Sequence, residues 1–160
     1  MHIRTAVPTD LPTLLDIYET ARQFMVENGN PTQWPAGFIN STVLSEDIVQ
    51  RTLYVCEDEN GIQGVFMFAD GPDPTYAVIE NGSWLSDAPY SVIHRVASAG
   101  NVKGLLAQMI AWASERAEVL RIDTHANNYP MQHLLSKLGF TRCGTIFAED
   151  GTPRIAYQKG

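Results

Sequence analysis

Apolar residues recur every three or four positions in several segments of the chain, which is the spacing of amphipathic helices. This pattern, together with capping signals, predicts helices over residues 9–28 (α1), from Ser45 (α2), over 102–116 (α3) and over 128–138 (α4). Thr9 and Asn128 are expected to be N-caps, and Gly139 to follow the end of α4. Glu46 and Asp47 suit the start of α2, because acidic groups are stabilised at helix N-termini. Residues 32–43 have no period and predict a structured loop.

Short runs rich in β-branched and aromatic residues predict seven strands. They are residues 3–6 (β1), 53–57 (β2), 62–69 (β3), 91–98 (β4), 119–124 (β5), 141–148 (β6) and 154–158 (β7). Asn60-Gly61 and Glu149-Asp150-Gly151 predict hairpins, and residues 76–79 are expected to extend a strand. The alternation of helices and strands predicts an α/β fold, a mixed sheet with helices on both faces in one domain over 1–160.

Length, charge and cysteine content limit the class of protein. The 160 residues suit one domain, and 11 Lys plus Arg against 18 Asp plus Glu give a net charge of −7. That charge disfavours a nucleic-acid partner, because such binding depends on basic residues. No apolar run approaches the roughly 18 residues of a membrane span, and the start at Met1 shows no signal segment, so we expect a cytoplasmic protein without a membrane partner. Cys56 and Cys143 are expected to be reduced, buried packing residues.

The junction between β4 and α3 has the chemistry to bind a phosphate group. A helix N-terminus presents unpaired amide groups and a partial positive charge. Lys103 adds a full charge, and Gly104 lets a ligand approach the backbone. The alternative is an ordinary strand-to-helix turn.

The segment from Asn128 to Phe140 reads Asn-Tyr-Pro-Met-Gln-His-Leu-Leu-Ser-Lys-Leu-Gly-Phe. It resembles the motif Asn-x-x-(Ala/Met)-x-x-Leu-(Tyr)-x-Lys-x-Gly-Phe of the GNAT family of N-acetyltransferases. The resemblance implies the GNAT acyl-CoA N-acyltransferase fold, β1-α1-α2-β2-β3-β4-α3-β5-α4-β6-β7, from Ile3 to Gln158. It also implies transfer of an acetyl group from acetyl-CoA to a primary amine of a small molecule, amino acid or peptide, and a homodimer that uses the last hairpin. The alternative is a non-catalytic acyl-CoA-binding or interaction domain of the same fold.

The resemblance also implies which residues bind the coenzyme. The end of β4 would pair with the pantetheine arm, and the start of α3, where the family has (Gln/Arg)-x-x-Gly-x-(Gly/Ala), would bind the pyrophosphate. A backbone amide of Val96 or Ala97 would polarise the thioester carbonyl. The implied coenzyme-binding residues are Val96, Ala97, Ser98, Asn101, Val102, Lys103, Gly104, Leu105, Leu106, Asn128 and Met131.

His94 is the candidate general base for the acceptor amine. On a regular strand Val92, His94 and Val96 share one face, which would place His94 beside the thioester. An unperturbed histidine, with a pKa of ~6.5, can take up a proton at physiological pH. The resemblance extends to arylalkylamine acetyltransferases, which have a catalytic histidine at the matching place. The alternative is a structural histidine that hydrogen-bonds to its neighbours.

The proton donor is left open by the sequence. The tyrosine that the family uses in α4 is replaced by Leu135. Tyr90, Tyr129 or water are the candidates that remain.

The acceptor site is expected around Trp34 and Phe38 with nearby Asp47, because a carboxylate attracts a cationic amine. Core packing is the alternative role for Trp34. Asp123 and His125 share a face at the end of β5, but their spacing matches no standard zinc pattern, so no metal is expected.

Overall fold

The computed structural model describes residues Met1–Gly160. Seven strands form one sheet in the order β1-β2-β3-β4-β5-β7-β6. The strands are β1 His2–Thr5, β2 Leu53–Asp58, β3 Gly61–Asp70, β4 Ser91–Ser98, β5 Leu120–Thr124, β6 Thr141–Phe147 and β7 Pro153–Lys159. The helices are α1 Leu11–Glu27, α2 Ser41–Val49, α3 Leu105–Ser114 and α4 Tyr129–Lys137. Because β4 and β5 are parallel and the other neighbours antiparallel, the predicted mixed sheet is confirmed.

The side chains of successive strand residues enter two separate cores. Val55 and Val65 pack with α1 and α2 on one face of the sheet. Cys56 and Phe66, the next residues along each strand, pack with α3 and α4 on the other face. The prediction of helices on both faces is therefore confirmed, and it follows from the two-residue period of a strand.

Both cysteines are free and buried, as predicted. Burial raises the pKa of the Cys56 thiol to about 11, so it is an unreactive packing group. None of the helices has the length and apolar character needed to cross a membrane.

The start of each of the first three helices differs from the prediction. Thr9 lies in a 3-10 turn, Pro8–Asp10, that precedes α1, so it is not the N-cap. α2 begins at Ser41, because the Asn40 side chain accepts a hydrogen bond from the Val43 amide at 3.0 Å. α3 begins at Leu105, since Gly104 adopts a left-handed conformation with φ of 73°. Asn128 is the N-cap of α4, as predicted.

The expected strand over residues 76–79 is wrong. A 3-10 turn, Pro74–Tyr76, occupies this region, and the adjoining residue Glu80 makes a single bridge to Thr145. The Asp73 side chain caps this turn by accepting from the Thr75 amide at 2.9 Å. This local hydrogen bond favours a turn over a strand.

A β-bulge at Arg95 interrupts β4. Met67 pairs with His94 and Val65 pairs with Ala97, so β4 has two residues between these pairs where β3 has one. Arg95 has a φ of 50°, which is unusual for a residue with a side chain. The Tyr18 hydroxyl donates to the Arg95 carbonyl at 2.7 Å, and the Arg95 guanidinium binds both oxygens of Asp47 at 2.9 Å. Three hydrogen bonds from α1 and α2 thus hold the strained residue.

The expectation that His94 and Val96 share one face of β4 is wrong. The extra residue of the bulge breaks the alternation of side chains between the two faces, so His94 and Val96 lie on opposite faces. Val96 packs against the α3–α4 core, as Ile93 does. His94 lies on the opposite side, near Tyr76.

Candidate active site

A cavity of about 690 Å³ opens where β4 and β5 separate. The two strands pair only at Ser91 with Leu120 and at Val92 with Arg121. Beyond Val92 the edge of β4 that faces β5 has no strand partner. The cavity lining includes His94, Val96, Asp123 and Met131. A gap between parallel strands that exposes both backbone and titratable side chains is a suitable place for a substrate.

His94 is fixed in this cavity by a carboxylate. Its Nε2 lies 2.7 Å from Asp73 Oδ2, a hydrogen-bond distance. Its Nδ1 lies 3.6 Å from Asp123 Oδ1, too far for a hydrogen bond. When the ionised Asp73 carboxylate accepts a hydrogen bond from Nε2–H, the neutral ring carries its lone pair on Nδ1. The side chain is 24% exposed and lines the cavity.

Asp73 is ionised over a wide pH range. Burial acts to raise the pKa of its carboxyl, but hydrogen bonds from His94 and Thr75 outweigh burial and lower the pKa to about 2. A carboxylate that holds one imidazole nitrogen fixes the tautomer and stabilises the imidazolium form. The pair therefore has the chemistry of a positioned base.

Asp123 is held by Tyr76, whose hydroxyl donates to Asp123 Oδ1 at 2.6 Å. Burial, and then the nearby Asp123 charge, raise the pKa of Tyr76 well above its usual value. Tyr76 consequently remains a hydrogen-bond donor. Asp123 thus belongs to the His94 cluster.

The lowered pKa of Asp73 predicts a pH-dependent contribution to stability. A carboxyl with a depressed folded-state pKa stabilises the fold above its unfolded pKa, near 3.8, and loses this contribution as pH falls toward about 2. Asp73→Asn should therefore lower the free energy of unfolding by about 1–2 kcal/mol at neutral pH, after solvent screening. The difference from wild type should shrink below about pH 4. Urea denaturation at a series of pH values measures it.

Asp16→Asn is the control, because Asp16 is exposed on α1. It should leave the free energy of unfolding within about 0.5 kcal/mol of wild type at every pH. A difference between wild type and Asp73→Asn that stays constant down to about pH 2.5 would show that Asp73 has no such role.

The start of α3 leaves room for a phosphate group. Nothing lies within 4 Å of the position that a Cβ on Gly104 would take. Asn101 and Lys103 are exposed, Val102 is half-buried, and the side chains of Leu105 and Leu106 point into the core. The backbone amides at this helix start are therefore approachable, which fits a pyrophosphate.

At the end of β4, Val96 lines the cavity and Ala97 is buried. Ala97 and Ser98 pair with β3 on one side, which leaves their other edge toward the gap. The Ser98 hydroxyl accepts from the Gly100 amide at 3.0 Å. An unpaired strand edge is suited to an extended ligand such as a pantetheine arm.

Asn128 and Met131, the two residues at α4 that are predicted to bind the coenzyme, lie in different environments. The Asn128 side chain accepts from the Met131 amide at 3.3 Å and donates to Gln33 Oε1 at 3.1 Å, so its polar atoms have structural partners. Met131 lines the cavity. Leu135, which occupies the place of the family tyrosine, is fully buried.

Neither tyrosine named as a proton donor lines the cavity. Tyr129 is 67% exposed. The Tyr90 hydroxyl accepts a hydrogen bond from the Asp73 amide at 2.8 Å. Tyr90 therefore supports the loop that holds His94.

The predicted acceptor residues separate into two groups. Trp34 is buried and packs edge-on against Tyr18, with ring centroids 5.6 Å apart, yet it also borders the cavity. Phe38 borders the cavity and is 47% exposed. The expectation for Asp47 is wrong, because its carboxylate binds Arg95 and does not line the cavity.

Two residues of the cavity, Asp73 and Arg154, could not be identified as site residues from the sequence. Asp73 lies in a Pro-rich turn 21 residues before His94, and no local pattern links the two. The sequence places Arg154 only in the last hairpin, but in the structure it borders the same cavity. An isolated arginine at the start of a β-strand gives no signal of its own.

No protein-family model and no curated protein matches the sequence. Solved structures do match. A GNAT-family acetyltransferase from Streptococcus agalactiae is 29% identical with a TM-score of 0.90, over 99% of this chain and 94% of that chain. A ribosomal-protein-alanine N-acetyltransferase from Brucella melitensis is 24% identical with a TM-score of 0.64, over 99% of each chain. The NatB acetyltransferase complex bound to CoA is 13% identical with a TM-score of 0.61, over 99% of this chain and 98% of that chain.

The last two similarities concern the fold alone, because their identities are low. The first covers nearly the whole of both chains, and this chain has the element order that the resemblance at α4 implied. The strand order and the α4 motif thus agree with each other, and the chain has the fold of the GNAT-family acetyltransferases to which it is similar.

Proposed function

We propose that this protein is an N-acetyltransferase that moves the acetyl group of acetyl-CoA to a primary amine of a small molecule, amino acid or peptide. The observation that carries the proposal is the His94 imidazole, held at 2.7 Å by Asp73 where β4 and β5 separate. A fixed base beside an open strand edge suits attack by an amine on a thioester.

The coenzyme is assigned to the α3 start and the end of β4. The amides of residues 101–106, with Lys103 and the small Gly104, bind the pyrophosphate. The backbone of Val96, Ala97 and Ser98 binds the pantetheine arm, and an amide of Val96 or Ala97 donates to the thioester carbonyl. Acetyl-CoA, when bound, supplies the acetyl thioester.

His94 prepares the acceptor amine. An amine is protonated at neutral pH, so it must lose a proton before it can attack. His94 accepts that proton at Nδ1, and Asp73 stabilises the resulting imidazolium. Asp123, 3.6 Å from the ring, adds a negative charge that attracts the cationic amine into the cavity.

Water is the proposed proton donor to the leaving thiolate. Of the three candidates from the sequence, the two tyrosines lie outside the cavity lining. The thiolate of coenzyme A is a good leaving group, so it does not require a strong acid.

Two assays test the proposal in sequence. Acetyl-CoA at about 100 times its Kd should stabilise the protein by about 2.7 kcal/mol, which a thermal shift detects. A screen of primary amines should then release free thiol in step with the acetylated amine, as measured by mass spectrometry. Binding without turnover on any amine would favour the non-catalytic acyl-CoA-binding domain, and no binding would reject both functions.

A further inference from the structure

Arg154 is a buried cation without an acidic partner. It is 7% exposed and borders the active-site cavity. Its Nη2 donates to the Gln33 carbonyl at 3.3 Å and its Nε to the Thr152 hydroxyl at 3.4 Å. Both contacts are long, both acceptors are neutral, and Nη1 makes no hydrogen bond. The guanidinium therefore retains unused donor capacity toward the cavity.

Two other arginines, Arg95 in the cavity lining and the buried Arg121, have interaction partners within the chain. Arg95 forms a two-point ion pair with Asp47. Arg121 lies between the rings of Trp84 and Tyr90, at 4.1 and 4.0 Å from their centroids, and donates to Gln158. No carboxylate hydrogen-bonds to Arg154, and a buried charge without such a partner is costly, so Arg154 is suited to an anionic ligand.

Arg154 lies on the same side of the sheet as the His94 cluster. Asp123 pairs directly with Ala156, and Arg154 precedes Ala156 by two residues. Residues two apart on a strand share a face, and such diagonal neighbours across two strands are roughly 7–8 Å apart. A small molecule can therefore contact both the His94–Asp123 end and Arg154.

We propose that the acceptor is an amine that also carries a carboxylate, such as a free amino acid. Its amine lies at His94 and Asp123, and its carboxylate forms a two-point ion pair with Arg154. This inference rests on the proposed function, whose acceptor class it narrows.

The charges of the cavity favour a carboxylate over a phosphonate or phosphate. Arg154 is its one cation without an acidic partner, while Asp70, Glu149 and Asp150 also border it. The Asp150 carboxylate is turned to the Thr152 amide and hydroxyl, at 3.0 and 2.6 Å. The single cation Arg154 balances the one negative charge of a carboxylate. The second negative charge of a phosphonate or phosphate would be repelled by these acidic residues.

The test compares acceptors that differ only in the acidic group. Alanine and phenylalanine are each measured beside the amide, the decarboxylated amine and the aminophosphonate analogue. In wild type, kcat/KM should be roughly 10²–10³-fold higher for the amino acid than for the amide or amine. Arg154→Met should bring this ratio close to one, and Arg154→Lys should keep part of it. Arg121→Met, the matched buried control, should keep the wild-type ratio.

Failure of this inference can be distinguished from failure of the proposed function. Acetylation of amines and amides as fast as amino acids, or faster acetylation of phosphonates, would overturn the carboxylate site and leave the acetyltransferase intact. If no amine is acetylated, thermal shifts with N-acetylalanine and its amide decide the matter. If N-acetylalanine raises the Tm, its amide does not, and the effect is lost in Arg154→Met, the carboxylate site is supported. Equal Tm shifts with the acid and the amide would overturn it.

Discussion

His94→Gln is expected to lower kcat by about 10²–10⁴-fold, the usual effect of losing a general base. Glutamine approximates the size of histidine and can still hydrogen-bond to Asp73, but it cannot take up a proton. The affinity for CoA should hardly change, because the proposed coenzyme contacts at β4 come from the backbone. Steady-state thiol release measures kcat, and calorimetry with CoA measures the affinity.

His133→Gln is the matched control, since His133 is exposed on α4, and it should retain wild-type kcat. A purely structural role for His94 predicts a different result, namely a lower Tm with turnover per folded molecule preserved. A stable His94→Gln enzyme that works at the wild-type rate would remove His94 from the mechanism.

Gly104→Glu is expected to abolish CoA binding. The site beside Gly104 is open, so a glutamate there would fill the approach to the α3 amides and repel the pyrophosphate. A side chain at its φ of 73° also adds strain of about 1 kcal/mol, which the fold should tolerate. Calorimetry should show that the Kd for CoA rises by more than about 10²-fold, while circular dichroism stays that of wild type.

Two control variants distinguish the effect of the glutamate charge at position 104 from the effect of backbone strain on CoA binding. Gly104→Ala adds the strain alone and should weaken CoA binding far less than the glutamate. Gly29→Glu places the same side chain at a similar φ of 81°, in open space after α1, and should bind CoA normally. Unchanged CoA affinity in Gly104→Glu would move the phosphate site elsewhere.

Much of the fold could be predicted because its signals are local. The Asn60-Gly61 turn specifies one hairpin, and the Asn128 cap with the apolar stripe of α4 specifies a helix next to β5. The start of α3 was predicted too early, because the left-handed conformation of Gly104 is not encoded in an apolar pattern. The bulge at Arg95 was missed for a stronger reason. Its partners Tyr18 and Asp47 are 77 and 48 residues away, so it depends on tertiary contacts.

The candidate site could be predicted only in part, because some of its residues have local signals and others are brought together only by tertiary contacts. His94 could be selected because a histidine within an apolar strand has an identifiable chemistry. The carboxylate that holds it could not, since Asp73 looked like one residue of a turn, and only folding brings that turn beside β4. The sequence likewise could not show that Asp47 is bound to Arg95 while Arg154 has no acid partner.

The central claim is that acetyl-CoA binds with its thioester in the gap between β4 and β5, beside a base held by Asp73. A crystal structure of the acetyl-CoA complex tests it most directly. We expect the pyrophosphate on the amides of residues 101–106 and the thioester carbonyl on the amide of Val96 or Ala97. His94 Nδ1 should lie within reach, directly or through one water, of an amine placed for attack on the acetyl carbon. Coenzyme bound outside this gap, or a thioester that His94 cannot approach, would contradict the account.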